Sequence, residues 1–179
     1  AGGGVFVKGE SACLYMGNIG FDGSGNLLGG TYDDGYGILH NYASGDASDI
    51  TSDNPTGFGG GVYFEGSTWY ISAGIIGYNL SKKGGGATVK FTNGMSSGFW
   101  SEMGSDAHII GNRAIHGAGL YIYKYQINGS DIVYMDISGD ISSNDAASDS
   151  GNGGGIYSHW AAISVSGSNA KINSNKAYN

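Results

Sequence analysis

Apolar residues fall in short alternating runs separated by glycine, serine and asparagine. In Asp131–Ser138, Val133, Met135 and Ile137 alternate with Ile132, Tyr134 and Asp136; in Ala162–Ser166, Ile163 and Val165 alternate with serines. A period of two sends successive side chains to opposite faces and predicts short, half-buried strands. The Gly, Ser, Asn and Tyr between and within these runs are weak helix formers, so the pattern predicts strands with tight corners and no helical repeat.

Two signatures recur along the chain. A glycine cluster followed by a short apolar stretch appears at Gly2–Gly3–Gly4–Val5–Phe6–Val7, Gly59–Gly60–Gly61–Val62–Tyr63–Phe64, Gly84–Gly85–Gly86–Ala87–Thr88–Val89, Gly117–Ala118–Gly119–Leu120–Tyr121–Ile122 and Gly153–Gly154–Gly155–Ile156–Tyr157–Ser158. The second, Ile-x-x-Asn, appears at Ile38/Asn41, Ile76/Asn79, Ile109/Asn112, Ile141/Asn144 and Ile172/Asn175. The two are phased: Asn54, Asn79 and Asn112 each precede a glycine cluster by five residues. With Asn18, Asn41, Asn79, Asn112, Asn144 and Asn175 as markers, the intervals are 23, 38, 33, 32 and 31 residues, the size of solenoid repeats.

Two or three short strands per repeat of this length predict a single all-β domain over 1–179: a right-handed parallel β-helix of about six coils. At ~4.8 Å per coil it would be roughly 29 Å long. Such stacking pairs each strand with its equivalent in the next coil and lines up like residues in columns. Gly supplies positive φ at the corners; Asn tolerates the left-handed conformation, and its amide can bond to itself up a column. Ile38, Ile76, Ile109, Ile141 and Ile172 are expected to be buried.

Composition narrows the function classes. Of 179 residues 36 are Gly and one is Pro, which alone would suggest a flexible chain, but 12% aromatic residues can bury enough surface to offset the ordering entropy. The net charge of −7, with Lys82–Lys83 the sole adjacent basic pair, speaks against nucleic acid and anionic membranes as partners. No apolar run approaches the roughly 18 residues of a membrane span, so no membrane insertion is expected. Ala1 is not an initiator Met, which suggests a trimmed chain. Cys13, the lone cysteine, is expected to be a small buried apolar residue. A composition rich in Ser, Thr, Asn and Gly suggests an extracellular or cell-surface setting.

The phased Ile-x-x-Asn and Gly-Gly-Gly-[Val/Ile]-Tyr motifs resemble the Gly-rich parallel β-helix repeats of bacterial surface proteins, such as autotransporter passengers and polymorphic outer-membrane proteins. The latter carry Gly-Gly-Ala-[Ile/Leu/Val] and Phe-x-x-Asn; Gly85–Gly86–Ala87–Thr88 comes close to the first, and Ile stands for Phe in the second. The resemblance implies the fold and a surface location, with no catalytic residue, since this fold serves adhesins and polysaccharide lyases alike.

Candidate chemistry is sparse. Parallel β-helix enzymes that degrade pectin use Asn-x-Asp, paired Asp, Gly-His-Gly and Arg-x-Lys motifs; Asp33–Asp34 is the one adjacent acidic pair, and nothing in the spacing brings a second pair to it. Arg113 reads as a solvated corner. His40, His108, His116 and His159 lack compact ligand spacing, and Asp46, Asp49 and Asp53 lack known calcium-loop spacing, so neither metal nor cofactor is expected. Aligning the glycine clusters puts Val5, Val62, Ala87, Leu120 and Ile156 in one file and Phe6, Tyr63, Thr88, Tyr121 and Tyr157 on the opposite face. If the first file points inward, Phe6, Tyr63, Tyr121 and Tyr157 form an outer stripe, either supporting neighbouring coils or contacting glycans or another solenoid.

No capping segment is visible in the sequence. The run Ile172–Asn175, joined to Gly2–Gly4, would restore the repeat phase to within one residue, which points to Gly2, Gly3, Gly4, Ile172 and Asn175 as stacking ends and to copies of the chain, head to tail, as partners. The favoured reading is therefore a structural solenoid unit of a fibre, stalk or surface layer, without enzymatic activity. The alternatives are an adhesin or glycan-binding module and a polysaccharide lyase or hydrolase, with a site on the loops spanning 20–36 or 46–57.

Overall fold

A computed structural model describes residues 3–9, 12–16, 19–21, 27–29, 37–43, 57–92, 101–124, 133–146 and 151–178. The described residues contain strands and no helix. The chain makes five passages through the same three sheets. The first comprises β1 (Val5–Lys8), β2 (Cys13–Met16), a side hairpin of β3 (Ile19–Phe21) and β4 (Leu27–Gly29), then β5 (Gly37–Leu39) and β6 (Tyr42–Ala43). The second runs through β7 (Val62–Gly66), β8 (Thr68–Gly77) and β9 (Leu80–Ser81), and the third through β10 (Ala87–Phe91), β11 (Ser101–Ile110) and β12 (Arg113–Ala114). The fourth contains β13 (Leu120–Lys124), β14 (Val133–Ile137), β15 (Asp140–Ser142) and β16 (Asp145–Ala146); the fifth contains β17 (Ile156–His159), β18 (Ala161–Val165), β19 (Lys171–Asn173) and β20 (Lys176–Ala177).

Sheet I is ordered β1-β7-β10-β13-β17, and sheet III β6-β9-β12-β16-β20. Sheet II is centred on β8 and β11, with β2 and β5 on one side and the pairs β14/β15 and β18/β19 on the other. All these pairings are parallel; β3–β4 is antiparallel. The registers match the glycine-cluster alignment, with Val5 beside Val62, Val62 beside Ala87, Ala87 beside Leu120 and Leu120 beside Ile156.

Five passages replace the expected six. Asn18, itself outside the described residues, does not mark a repeat of its own: the segment after β2 carries the β3–β4 hairpin and rejoins sheet II at β5, so Asn18 and Asn41 belong to one passage. Tyr15 stands where the other repeats have Ile, which is the sequence trace of this difference.

Inward positions form columns along the stack. Val62, Ala87 and Leu120, then Phe64, Val89 and Ile122, then Ile71, Met103 and Ile137 are all buried. Phe64 meets Trp69 and Phe91 edge-on, with centroids 5.8 and 6.5 Å away. Ile76, Ile109 and Ile141 are buried as expected, but Ile38 is half-buried and Ile172 is 43% exposed, because each lies in an outermost passage with a neighbour on one side. Cys13 is exposed, contrary to expectation: Leu14 and Met16 take the inward places of β2 and leave Cys13 and Tyr15 outward.

The phase of the two signatures has a physical cause. Asn41, Asn79, Asn112, Asn144 and Asn175 form a ladder in which the backbone N–H and the side-chain amide of each residue donate to Oδ1 of the next. The backbone bonds are 2.8, 2.9, 2.9 and 3.0 Å, and the amide bonds 3.1, 3.0, 3.0 and 3.0 Å. From Asn79 onward each Nδ2 also donates to the Ile carbonyl of the preceding passage, Ile38, Ile76, Ile109 and Ile141, at 2.8–2.9 Å. The third position of each glycine cluster lies against this amide: a Cβ on Gly4, Gly61, Gly86, Gly119 or Gly155 would come within 2.8–3.0 Å of the Nδ2 of Asn41, Asn79, Asn112, Asn144 or Asn175. A side chain there would displace the ladder. Positive φ is taken by the residue before each Asn, His40, Tyr78, Gly111, Ser143 and Ser174, and not by the Asn itself, which is committed to the ladder.

Asn79, Asn112 and Asn144 are buried, so breaking the ladder strands polar groups away from water. Asn112→Leu removes the acceptor of two donors on Asn79 and the donor to Ile76 O, and is expected to cost about 3 kcal/mol or more by urea denaturation. Gly86→Ala, whose Cβ would lie 2.7 Å from Gly119 O, should cost about 2 kcal/mol, whereas Ser143→Gly, at a left-handed position, should be neutral or stabilising.

Candidate functional site

The glycine clusters start the strands of sheet I in common register, which places Phe6, Tyr63, Thr88, Tyr121 and Tyr157 in one outward file. Phe6 is 54% exposed, and Tyr63, Tyr121 and Tyr157 are half-buried. The file consists of two stacks. Phe6 and Tyr63 lie face to face at 5.2 Å and 10°, and Tyr121 and Tyr157 at 5.1 Å and 1°. Between them Thr88 is buried and donates to Lys83 O at 2.8 Å, while Lys83 Nζ lies 5.2 Å from the Tyr121 ring centre and 5.3 Å from that of Phe58. Each ring of the file thus has one face covered by another ring, and Tyr121 also has an ammonium group over it. Sugar stacking uses open ring faces, so this arrangement favours the supporting role of the stripe.

The adjoining outward file holds Lys8, Glu65, Lys90, Tyr123 and His159. Glu65 is its centre: it accepts from Lys90 Nζ at 3.0 Å and from Tyr63 OH at 2.8 Å, with Lys8 Nζ at 3.8 Å. Burial works against its charge, but the hydrogen bonds from Lys90 and Tyr63 and the charges of Lys90 and Lys8 outweigh it and hold the carboxyl below its usual range. The Tyr63 hydroxyl is pushed well above the ordinary tyrosine value, by burial first and then by its bond to Glu65.

Sheet II carries an outward file that the sequence did not reveal: Tyr15, Tyr70, Glu102, Asp136 and Ser164. Glu102 and Asp136, 34 residues apart, are direct neighbours on parallel strands. Burial, followed by the Asp136 charge, raises the Glu102 carboxyl above its usual range; burial and then Glu102 raise Tyr70. Beside this pair the strands bring only a tyrosine and a serine in file. The pair escapes repeat arithmetic because the distance to the next column varies: β11 spends six residues from Met103 to Ile109, where its neighbours β8 and β14/β15 spend five and four.

The remaining candidates stand apart. Asp33, Asp34, Asp46, Asp49, Asp53 and Gly2 lie outside the described residues, as does most of the two loops proposed to carry a site. Arg113 is exposed, in register with Asp145, which is in turn beside Lys176. His40 stacks on Tyr78, His108 Nδ1 lies 3.9 Å from Asp140 Oδ2, and His116 packs by Tyr157, its ring held below the usual pKa by burial and then by Lys83 and Lys82. Among the described residues no three His, Cys, Asp or Glu side chains are grouped to hold a metal. Among the described residues no helix is long and apolar enough to cross a membrane. No protein family, curated protein or solved structure matches the chain.

The two glutamates should respond to pH in opposite senses. Glu65, with a lowered folded pKa, contributes stability above the ordinary glutamate range that is lost as pH falls through its depressed value. Glu65→Gln is therefore expected to lower stability at pH 7 and to flatten acid denaturation. Glu102, with a raised value, binds an extra proton in the folded state, so stability falls as pH rises from the ordinary range through the raised one. Glu102→Gln should stabilise at pH 7, an advantage that disappears at the ordinary glutamate pKa and below. Urea denaturation across pH 3–8, a range set by these carboxyl reference values, checks both signs.

Proposed function

We propose that this chain is a structural unit of a right-handed parallel β-solenoid, in which the three sheets close around one core and the stack is extended by further coils into an extracellular fibre, stalk or surface layer. One observation carries the reading: the fifth passage is built like the others but is covered on one side only. Leu120, Met135, Ile137 and Ile141 of the fourth passage are wholly buried. Their partners in the same columns, Ile156 and Ile163, are half-buried, and Val165 and Ile172 are 50% and 43% exposed. An equivalent passage laid against β17–β20 would bury them and pair the free strand edges, which are otherwise open to unspecific pairing. The likeness of the glycine and Asn motifs to those of bacterial surface β-helices supports the extracellular setting. The outward files support no competing reading as strongly: the rings of sheet I are stacked in pairs, and among the described residues the Glu102–Asp136 pair has in its file only Tyr70 and Ser164, with no second acid or base opposite it.

Electron microscopy and analytical ultracentrifugation of the purified chain test this. Rods of uniform width are expected to lengthen with protein concentration, and hydrogen exchange should show the amides of β18 and β19 becoming protected on assembly. Ile163→Lys with Ile172→Lys, which puts charge on the exposed end columns, should abolish lengthening while β7–β13 keep their protection. A wild-type chain that stays monomeric at high concentration, or one whose β18–β19 amides are already as protected as those of β14–β15, would overturn the proposal.

A further inference from the structure

The asparagine ladder has a direction, and its two ends are complementary. Inside the stack each Oδ1 accepts two bonds from the preceding Asn, and each Nδ2 reaches back to the preceding Ile carbonyl. In the first passage Asn41 Oδ1 accepts no such bonds among the described residues, and Nδ2 turns to Leu39 O of its own passage at 3.0 Å. In the fifth, Asn175 Oδ1 is occupied by Asn144, but among the described residues its backbone N–H and second amide proton have no ladder acceptor, and Ile172 O receives no Asn amide. One end therefore lacks the acceptor that the other end offers, and the reverse holds for the donor.

We infer that the passage covering β17–β20 is the first passage of a second copy, seated so that Asn175 donates to Asn41 Oδ1 and Asn41 Nδ2 donates to Ile172 O. This rests on the rod reading above and adds the partner and the register. The columns of the stack determine every other pair at the junction. Val5 meets Ile156, Leu14 meets Ile163, Met16 meets Val165, Ile38 meets Ile172 and Ala43 meets Ala177, so five inward columns continue with apolar residues, while in a sixth Val7 meets Ser158. Phe6 falls on Tyr157 and extends the ring file. The outward charges Lys171 and Lys176 meet Gly37 and Tyr42, and no two lysines coincide. A shift by one residue would set inward against outward side chains throughout and break both Asn bonds.

Register can be read by cross-linking. Tyr42 and Lys176, both exposed, fall opposite each other at the junction, and neighbouring residues on parallel strands are ~4.8 Å apart, within reach of a disulfide. In a Cys13→Ser background, Tyr42→Cys with Lys176→Cys should on mild oxidation give covalent multimers at a yield at least about tenfold above Tyr42→Cys with Asn173→Cys, the out-of-register control. Rods that form but link equally, or link only in the control, would overturn the register while leaving the rod reading intact. A wild-type chain that forms no rods removes the rod reading and this inference with it.

Discussion

The amide of one asparagine per passage, buried in the three inner passages and held against a glycine that has no room for a Cβ, is the contact on which this structure turns. In the inner passages each amide is satisfied from both neighbours: as at Asn144, its oxygen accepts from the backbone and side chain of the preceding Asn, and its nitrogen donates to the following Asn and to the carbonyl of a preceding Ile. Because these groups are buried, a passage that slips out of register strands several polar groups at once, a cost larger than any single ladder bond contributes. The glycine is the other half of the device: Gly61, Gly86 and Gly119 let the strand of sheet I start close enough to sheets II and III for the Asn to touch it. Repeat phase in the sequence and register in the stack are thus two expressions of one steric requirement.

With register held at that corner, everything on the sheets becomes a column. Inward columns collect Val, Leu, Ile, Met and Phe and provide the hydrophobic stabilisation; outward ones collect rings, an ion-pair cluster around Glu65, and the Glu102–Asp136 pair. Stacked rings add to stability because their faces are covered by each other, which is also why the aromatic file serves support better than recognition. The outward acidic pair is a cost of column-wise stacking that raises the Glu102 carboxyl, and the sheet tolerates it where the same pair in the core would not survive.

A fold made of nearest-neighbour contacts leaves its last passage half-finished, and this one does so in a directional way. Donors remain at Asn175 and acceptors at Asn41, while the exposed side chains at one end continue the columns of the other. Directional ends favour open, polar growth over closed pairing, since a heterologous contact that does not close generates a filament.

The sequence alone determined the strand class and the pairing of the two signatures, because each depends on contacts repeated every thirty or so residues and so leaves a periodic trace; which face of the glycine-cluster strands points inward was decided by the structure, since alternation by itself fits either face. It also identified Ile76, Ile109 and Ile141 as core and the asparagines as a self-bonding column. It misjudged the number of passages, the left-handed residue and Cys13. Asn18 mimics a marker where a hairpin was inserted, the corner strain falls on the neighbour of the Asn, and the parity of β2 is set by Leu14 and Met16. Glu102 beside Asp136, Lys83 between two rings and the open ends of the ladder were decided by tertiary structure only. They join residues brought together by loops of unequal length, and unequal loops erase the arithmetic that makes a column legible.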